Sequence, residues 1–309
     1  MKTISSEKLN SDQHSLIEAA IAATDTAYVP YSGYHVGAAV LTRSGSVFAA
    51  SNVENVAYGP TICGERMAIG KANASGARDI VAIAISSRSD KFEKTEIACG
   101  PCGSCRQVIY EMAQVSGCDI EVIGSTIDKS HIAVSTIEQL LPLRKKTYTS
   151  VDLMSSEKLN SDQHSLIEAA IAATDTAYVP YSGYHVGAAV LTRSGSVFAA
   201  SNVENAAYGS TICAEQMAIG KANASGARDI VAIAISSRSD NHEKNEITAD
   251  PCGTCRQAIY EMAQVSGCNI EVIMSDKNKH NIVIKSIEQL LPYAFGPSQL
   301  HIDVVKGNL

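Results

Sequence analysis

The chain has no apolar run approaching the about 20 residues a membrane-spanning helix needs, which excludes an ordinary helical membrane protein. Positive charge is scarce as well. Lysine and arginine number 25 against 32 aspartates and glutamates, a net charge of −7 with histidine neutral. Nucleic-acid affinity rests largely on lysine and arginine displacing counterions from phosphates, so this balance favours a small-molecule partner over DNA or RNA. The opening residues, MKTISSEKLNSDQ, are polar and lack the apolar core of a secretory signal. A cytoplasmic protein is therefore expected. Apolar residues make up 45% and charged residues 18% of 309 residues, an ordinary globular mix, enough for two domains with real cores.

What the sequence has in abundance is itself. A shift of 150 residues aligns the chain with itself without a gap: residues 5–55 equal 155–205, and 67–90 equal 217–240. A unit this long is a duplicated domain rather than a solenoid repeat. The expected domains are 5–143 and 155–309, joined by a polar linker at 144–154. Fusion raises the effective concentration of each copy for the other, which favours a pseudo-symmetric, dimer-like contact.

Each copy alternates helix and strand. Asn10–Ala27 has apolar residues at helical spacing, with Asn10 or Ser11 as N-cap. Strands are expected at His35–Thr42 and Val47–Ser51 around a tight turn. A helix is expected at Cys63–Asn73, a doubly buried strand at Asp79–Ser86, and a helix at Cys102–Gln114. Short strands at Ile120–Ile123 and Ile132–Val134 and a last helical turn at Ile137–Leu141 complete an α/β layered domain, repeated in copy two.

Nine cysteines are present, and in a reducing compartment their clustering points to metal ligands or core residues rather than disulfides. In copy one, Cys63-Gly-Glu65 is followed 36 residues later by Pro101-Cys102-Gly-Ser-Cys105. In copy two, Cys213-Ala-Glu215 is followed by Pro251-Cys252-Gly-Thr-Cys255. This joint pattern resembles the zinc deaminases, in which Cys- or His-x-Glu precedes Pro-Cys-x-x-Cys; the histidine variant is absent. Three thiolates leave a tetrahedral zinc one open position, which a catalytic site needs and a structural site lacks. Helix N-termini help hold thiolates deprotonated. Glu65 and Glu215, two residues past the first ligand, fall near the metal without having to bind it. There a carboxylate can take a proton from activated water and pass it to a ring nitrogen and a leaving amine. Two zinc ions per chain are expected.

The blander readings are a structural zinc knuckle or a redox pair. A structural site needs a fourth ligand, and Cys99 has only Ala249 as its counterpart. His35 and His185 sit in a strand without ligand spacing. Cys118 and Cys268 read as apolar fillers at a strand start.

The likeness extends further. PYSGYHVGAAVL, SNVENAAYGSTICAEQMAI, PCGTCRQAIYE and LLPYAFGP resemble, in order, the small cytidine deaminases over nearly all of each copy. Cysteine as first ligand resembles the branch that forms homotetramers of small subunits. The resemblance implies a three-layer α/β/α sandwich around a mixed five-stranded sheet, duplicated in tandem. It implies hydrolysis of cytidine and 2′-deoxycytidine to the uridine counterparts and ammonia, and a chain that dimerises into a four-domain pseudo-tetramer. Asn52 with Glu54, and Asn202 with Glu204, correspond to the pair that binds the ribose 3′-hydroxyl. Tyr34 and Tyr184 correspond to a residue near the base, and Tyr58 and Tyr208 to positions where neighbouring subunits complete a pocket. Gly64 and Ala214 fall in the substrate-binding set, and Phe295 matches an aromatic that covers the pyrimidine of a neighbouring site.

The departures concern Cys-Ala-Glu-Arg, the family's usual stretch. Copy one keeps Arg66 but has Gly64; copy two keeps Ala214 but has Gln216. An arginine beside a sulfur offsets the excess negative charge of three thiolates, as groups behind metal ligands do; Gln216 supplies no charge. Copy one is thus expected to be the faster site, unless Gly64 loosens the helix start. Only copy two carries the AFGP tail. The rival functions are deamination of a related cytosine nucleoside such as blasticidin S or of a polynucleotide base, and a fusion with one structural copy. Both copies keep three cysteines and the glutamate, which speaks against a dead half.

Overall fold

The computed structural model describes residues 1–91, 98–142, 153–240, 249–300 and 302–304. The chain separates into two compact units. One is Met1–Pro142 with Tyr293–Phe295; the other is Leu143–Pro292 with Gly296–Leu309. Most of the expected linker, 144–152, lies outside the described residues.

The first unit runs β1 (Lys2–Ile4), α1 (Ser11–Ala23), β2 (Tyr34–Thr42), β3 (Val47–Ser51), α2 (Gly64–Ala74), β4 (Ile80–Ser89), α3 (Gly103–Ser116), β5 (Glu121–Thr126), β6 (Ile132–Thr136) and α4 (Ile137–Leu140). Asn10 caps α1 in a capping box with Gln13, which satisfies amides that the first turn leaves without partners. The helix was expected to reach Ala27 but ends at Ala23 in a short 3₁₀ turn. The hydroxyls of Thr24 and Thr26 donate back to the carbonyls of Ile21 and Ala23 there, offering the backbone an alternative to another helical turn. Helix α3 ends on Gly117 in the left-handed conformation, the usual glycine stop.

The strands form one mixed sheet in the order β1-β6-β5-β4-β2-β3. Only β4 and β5 pair in parallel; the other neighbours are antiparallel. Five strands were expected, and β1 is a sixth: Lys2–Ile4 adds to the outer edge of β6. Two cores flank the sheet. Leu16, Ile17 and Ala20 of α1 pack on Ala39, Ala84 and Ile123. Ala68 and Ala72 of α2 and Ile109 and Ala113 of α3 pack on Val40, Ile83 and Val122. Successive strand residues face opposite layers, so β4 feeds Ala84 to one core and Ile83 to the other.

The second unit repeats this as α5 (Ser161–Ala173), β7 (Tyr184–Thr192), β8 (Val197–Ser201), α6 (Ala214–Ala224), β9 (Ile230–Ser239), α7 (Gly253–Ser266), β10 (Glu271–Asp276), β11 (Ile282–Ser286) and α8 (Ile287–Leu290). Its sheet has the expected five strands, β11-β10-β9-β7-β8. Among the described residues, no helix is long and apolar enough to cross a membrane.

Candidate active site

The sulfurs of Cys63, Cys102 and Cys105 form one cluster, and those of Cys213, Cys252 and Cys255 another, all within 4.8 Å of one another. Cys63 is the N-cap of α2 and Cys102 that of α3, with Cys105 inside the first turn of α3. Two helix starts therefore converge on each cluster and add their partial positive charge to the thiolates. Zinc at about 2.3 Å from each sulfur in a tetrahedron would hold the sulfurs about 3.8 Å apart. In copy two, Cys252 Sγ lies 3.5 Å from Cys255 Sγ and 4.0 Å from Cys213 Sγ. Donor set and spacing fit zinc at both places. The thiols of Cys105 and Cys63 hydrogen-bond to the Cys102 sulfur and hold its pKa well below the ordinary thiol value. Its bonds to Cys102 and Cys63, with burial, push Cys105 up.

Glu65 and Glu215 are each only 4% exposed. Burial, with the Cys102 charge beside it, pushes the Glu65 carboxyl up to about 7. Tyr34 and the Arg66 charge stand near Glu65, and Tyr184 stands near Glu215. Tyr34 Oη lies 3.0 Å from Ser87 Oγ, and Tyr184 Oη donates to Ser237 Oγ at 2.9 Å. In the first unit the Phe295 ring lies against Tyr34, with centroids 6.2 Å apart and planes tilted by 49°.

Asn52 is buried, and its amide ties β3 to the start of β2. Oδ1 accepts from Val36 N and Nδ2 donates to Tyr34 O, both at 2.9 Å. Asn202 repeats both bonds. Glu54 Oε2 accepts from the amides of Tyr31 at 3.0 Å and Ser32 at 3.2 Å; Glu204 does the same with Tyr181 and Ser182. Burial raises the Glu54 carboxyl, but a bond from the Ser32 side chain, together with these two amides, outweighs it and leaves a net lowering. Tyr58 and Tyr208 stand out to solvent, 75% and 74% exposed, each against a second tyrosine, Tyr31 or Tyr181.

Arg66 does not make the expected sulfur bond among the described residues. Its Nη2 donates to Thr61 O at 2.9 Å, and its buried Nε has no partner. Gly64 packs closely under β2: a Cβ there would lie 2.9 Å from Val36 O, yet Ala214 occupies the matching place in copy two, fully buried. Cys99 lies outside the sulfur cluster, beside Ser87 and Tyr34. His35 and His185 bind Asp90 and Asp240 at 3.0 Å. Cys118 sits between α3 and β5 rather than in a strand, its thiol 3.6 Å from Ile80 O.

The reading of the sequence missed Arg106 and Arg256, both 0% exposed. Arg106 donates from Nε to Pro101 O at 2.8 Å, from Nη1 to Leu140 O at 2.7 Å and from Nη2 to Tyr293 O at 2.7 Å. Arg256 repeats the first two on Pro251 and Leu290. Each guanidinium thus grips the residue immediately before a metal-ligand candidate. The signal available was an arginine following Cys-x-x-Cys on the buried side of its helix.

Comparison with known proteins matches residues 10–117 and again 160–270 to the family described as cytidine and deoxycytidylate deaminase zinc-binding region. A cytidine deaminase of Halalkalibacterium halodurans is 43% identical over 131 residues, 42% of this chain and 92% of that one. A probable cytidine deaminase of Dictyostelium discoideum is 39% identical over 127 residues, 41% of this chain and 78% of that one. The crystal structure of cytidine deaminase from Burkholderia pseudomallei is 39% identical, covers 43% of this chain and 98% of that chain, and superposes with a TM-score of 0.38.

Proposed function

This chain belongs to the cytidine and deoxycytidylate deaminase family, and on that premise we propose that each copy hydrolyses cytidine and 2′-deoxycytidine to uridine and 2′-deoxyuridine with release of ammonia. The observation that carries the reading is the convergence, twice in one chain, of three cysteine sulfurs and a buried glutamate. When bound, zinc supplies the Lewis acidity that makes water a nucleophile near neutral pH. Glu65 or Glu215 takes a proton from the attacking water and delivers it to ring N3, then moves a second proton to the departing amine. A C4–O bond forms, the C4–N bond breaks and ammonia leaves. The low exposure of these carboxyls suits them to hold a proton between transfers. Glu54 and Glu204, with Asn52 and Asn202, bind the ribose 3′-hydroxyl; a site built to bond a hydroxyl discriminates against ligands that lack it. The acidic balance supports a nucleoside rather than a polynucleotide substrate, and a cytoplasmic location belongs to the same proposal.

The test is loss of ultraviolet absorbance on cytidine, deoxycytidine, blasticidin S and a single-stranded oligonucleotide side by side. The two free cytosine nucleosides should turn over fastest. A preference for the oligonucleotide would overturn the reading.

Oligomerisation belongs to the same proposal. Tyr28, Tyr31, Val53, Val56, Tyr58 and Ile62 are exposed, linked by bridges between Tyr28, Val53 and Ile62, and the feature recurs in copy two. An exposed apolar patch of this kind marks an interaction surface, and a second copy of the chain completes a four-domain assembly.

Two further outcomes follow from differences between the copies. Arg66 reaches the site by its charge, which acts on Glu65, rather than by a sulfur bond. Arg66→Gln, made in a chain whose second site is silenced by Glu215→Gln, should therefore lower kcat by less than the about 10-fold usual for a group bonded to a metal ligand. Gln216→Arg in the Glu65→Gln chain should raise it. Equal rates in the two singly silenced chains, unmoved by either exchange, would refute the asymmetry. Phe295→Ala should raise KM at site one by about two- to tenfold, since an aromatic contact is worth about 0.5–1.5 kcal/mol. Steady-state kinetics on the singly silenced chains should show no change at site two.

A further inference from the structure

The two copies differ in a small group of residues beside Pro-Cys-x-x-Cys. Copy one has Cys99, Gly100 and Gly124, where copy two has Ala249, Asp250 and Met274. Gly124 lies within β5, paired with Ile85 of β4. A Cβ at Gly124 would lie 2.3 Å from Cys99 O, 3.2 Å from Cys99 C and 3.5 Å from the Ala98 side chain. A backbone carbonyl cannot give way as a flexible side chain can, so β5 can carry no side chain here while residues 98–99 keep this path. At the matching point of β10, Met274 is fully buried, and Ala249 joins the same core cluster. The backbone at Ala249 therefore cannot press on β10 as Cys99 presses on β5.

Between Cys99 and Cys102 the chain has little freedom. The Pro101 carbonyl is gripped by Arg106 at 2.8 Å and the Pro251 carbonyl by Arg256 at 2.9 Å. In copy one, Gly100 alone separates the strand contact from that grip. A shift forced at Cys99 must pass through Gly100 and Pro101 to the sulfur of Cys102.

We propose that Gly124 is a positioning residue for the metal ligand Cys102, and that each copy carries a matched set: Gly124 with Cys99-Gly100 in one, Met274 with Ala249-Asp250 in the other. Gly124 touches neither metal nor substrate; it acts by letting the ligand-bearing segment lie against the sheet. The inference rests on the reading that the sulfur clusters hold zinc.

The test follows zinc release from the full chain to a competing chelator. One of the parent chain's two zinc equivalents should be held about 10-fold or more weakly in Gly124→Ala, the other unchanged. The full exchange, Gly124→Met with Ala98→Thr, Cys99→Ala and Gly100→Asp, should restore both equivalents to parental retention. After cobalt replacement, the thiolate charge-transfer band of one site should shift in Gly124→Ala, a signal that a purely structural role would leave in place. If Gly124→Ala does not fold, the full exchange is still expected to fold with two zinc ions, and its failure overturns the inference. Parental retention of both ions by Gly124→Ala also overturns it. A parent chain that binds no zinc instead fails the reading on which the inference rests.

Discussion

A chain carrying Glu65→Gln and Glu215→Gln together is expected to lose about 10²- to 10⁴-fold in kcat, the range of a positioned general acid–base, while keeping two zinc ions. Glutamine preserves size and hydrogen bonding but cannot accept and return a proton. Both carboxyls are almost wholly buried, so bulk water is poorly placed to substitute for them. Each single variant should retain the full rate of the untouched copy, which makes the pair of singles a direct readout of each site's share. Initial rates with zinc analysis on the same samples check this. A double variant with more than about a tenth of the parent rate would remove the glutamates from the proton path, since it falls well short of the smallest expected loss.

The next largest effect is on stability. Arg106→Met should destabilise the first unit by at least about 2 kcal/mol, because the buried carbonyls of Pro101 and Leu140 lose their donor at about 1–3 kcal/mol each, with a smaller share from the part-buried carbonyl of Tyr293. Arg106→Lys should rescue little, since one ammonium cannot reproduce the planar fork that reaches three separate acceptors. One of those acceptors, Tyr293 O, lies 187 residues along the chain, so ending the chain after Pro292 should cost a fraction of the same amount. Denaturant unfolding with probes in each unit measures both. A loss under about 1 kcal/mol in Arg106→Met would mean that the carbonyls find other donors.

The sulfur clusters were legible because Cys-x-Glu followed by Pro-Cys-x-x-Cys resembles the zinc deaminases; that Cys63 meets Cys102 and Cys105 across two helices is a tertiary fact. Cys63 and Cys102 each open a helix, and helix starts are readable from capping and apolar period. The strands at 34–42 and 80–89 were legible because their apolar runs are long. What escaped depends on distant partners. β1 is three residues of KTI, mostly exposed, and becomes a strand only because the edge of β6 needs pairing. Arg106 looks like a surface arginine until carbonyls at 101, 140 and 293 surround it. Asn52 carries a ribose assignment from resemblance, but its tie to Tyr34 and Val36 is a tertiary fact. Gly124 resembles any weak strand position, and its reason is the Cys99 carbonyl pressed against β5. Arg66 shows the opposite case: the residue was singled out for a sulfur, yet its Nη2 donates to Thr61 O.

Everything turns on two metal ions per chain, each held by three cysteines. X-ray absorption at the zinc edge, together with metal analysis of the purified chain, tests this most directly. The expected result is two zinc ions per chain, each with three sulfur neighbours at about 2.3 Å. A chain without zinc, or zinc surrounded by four sulfurs, would contradict the account.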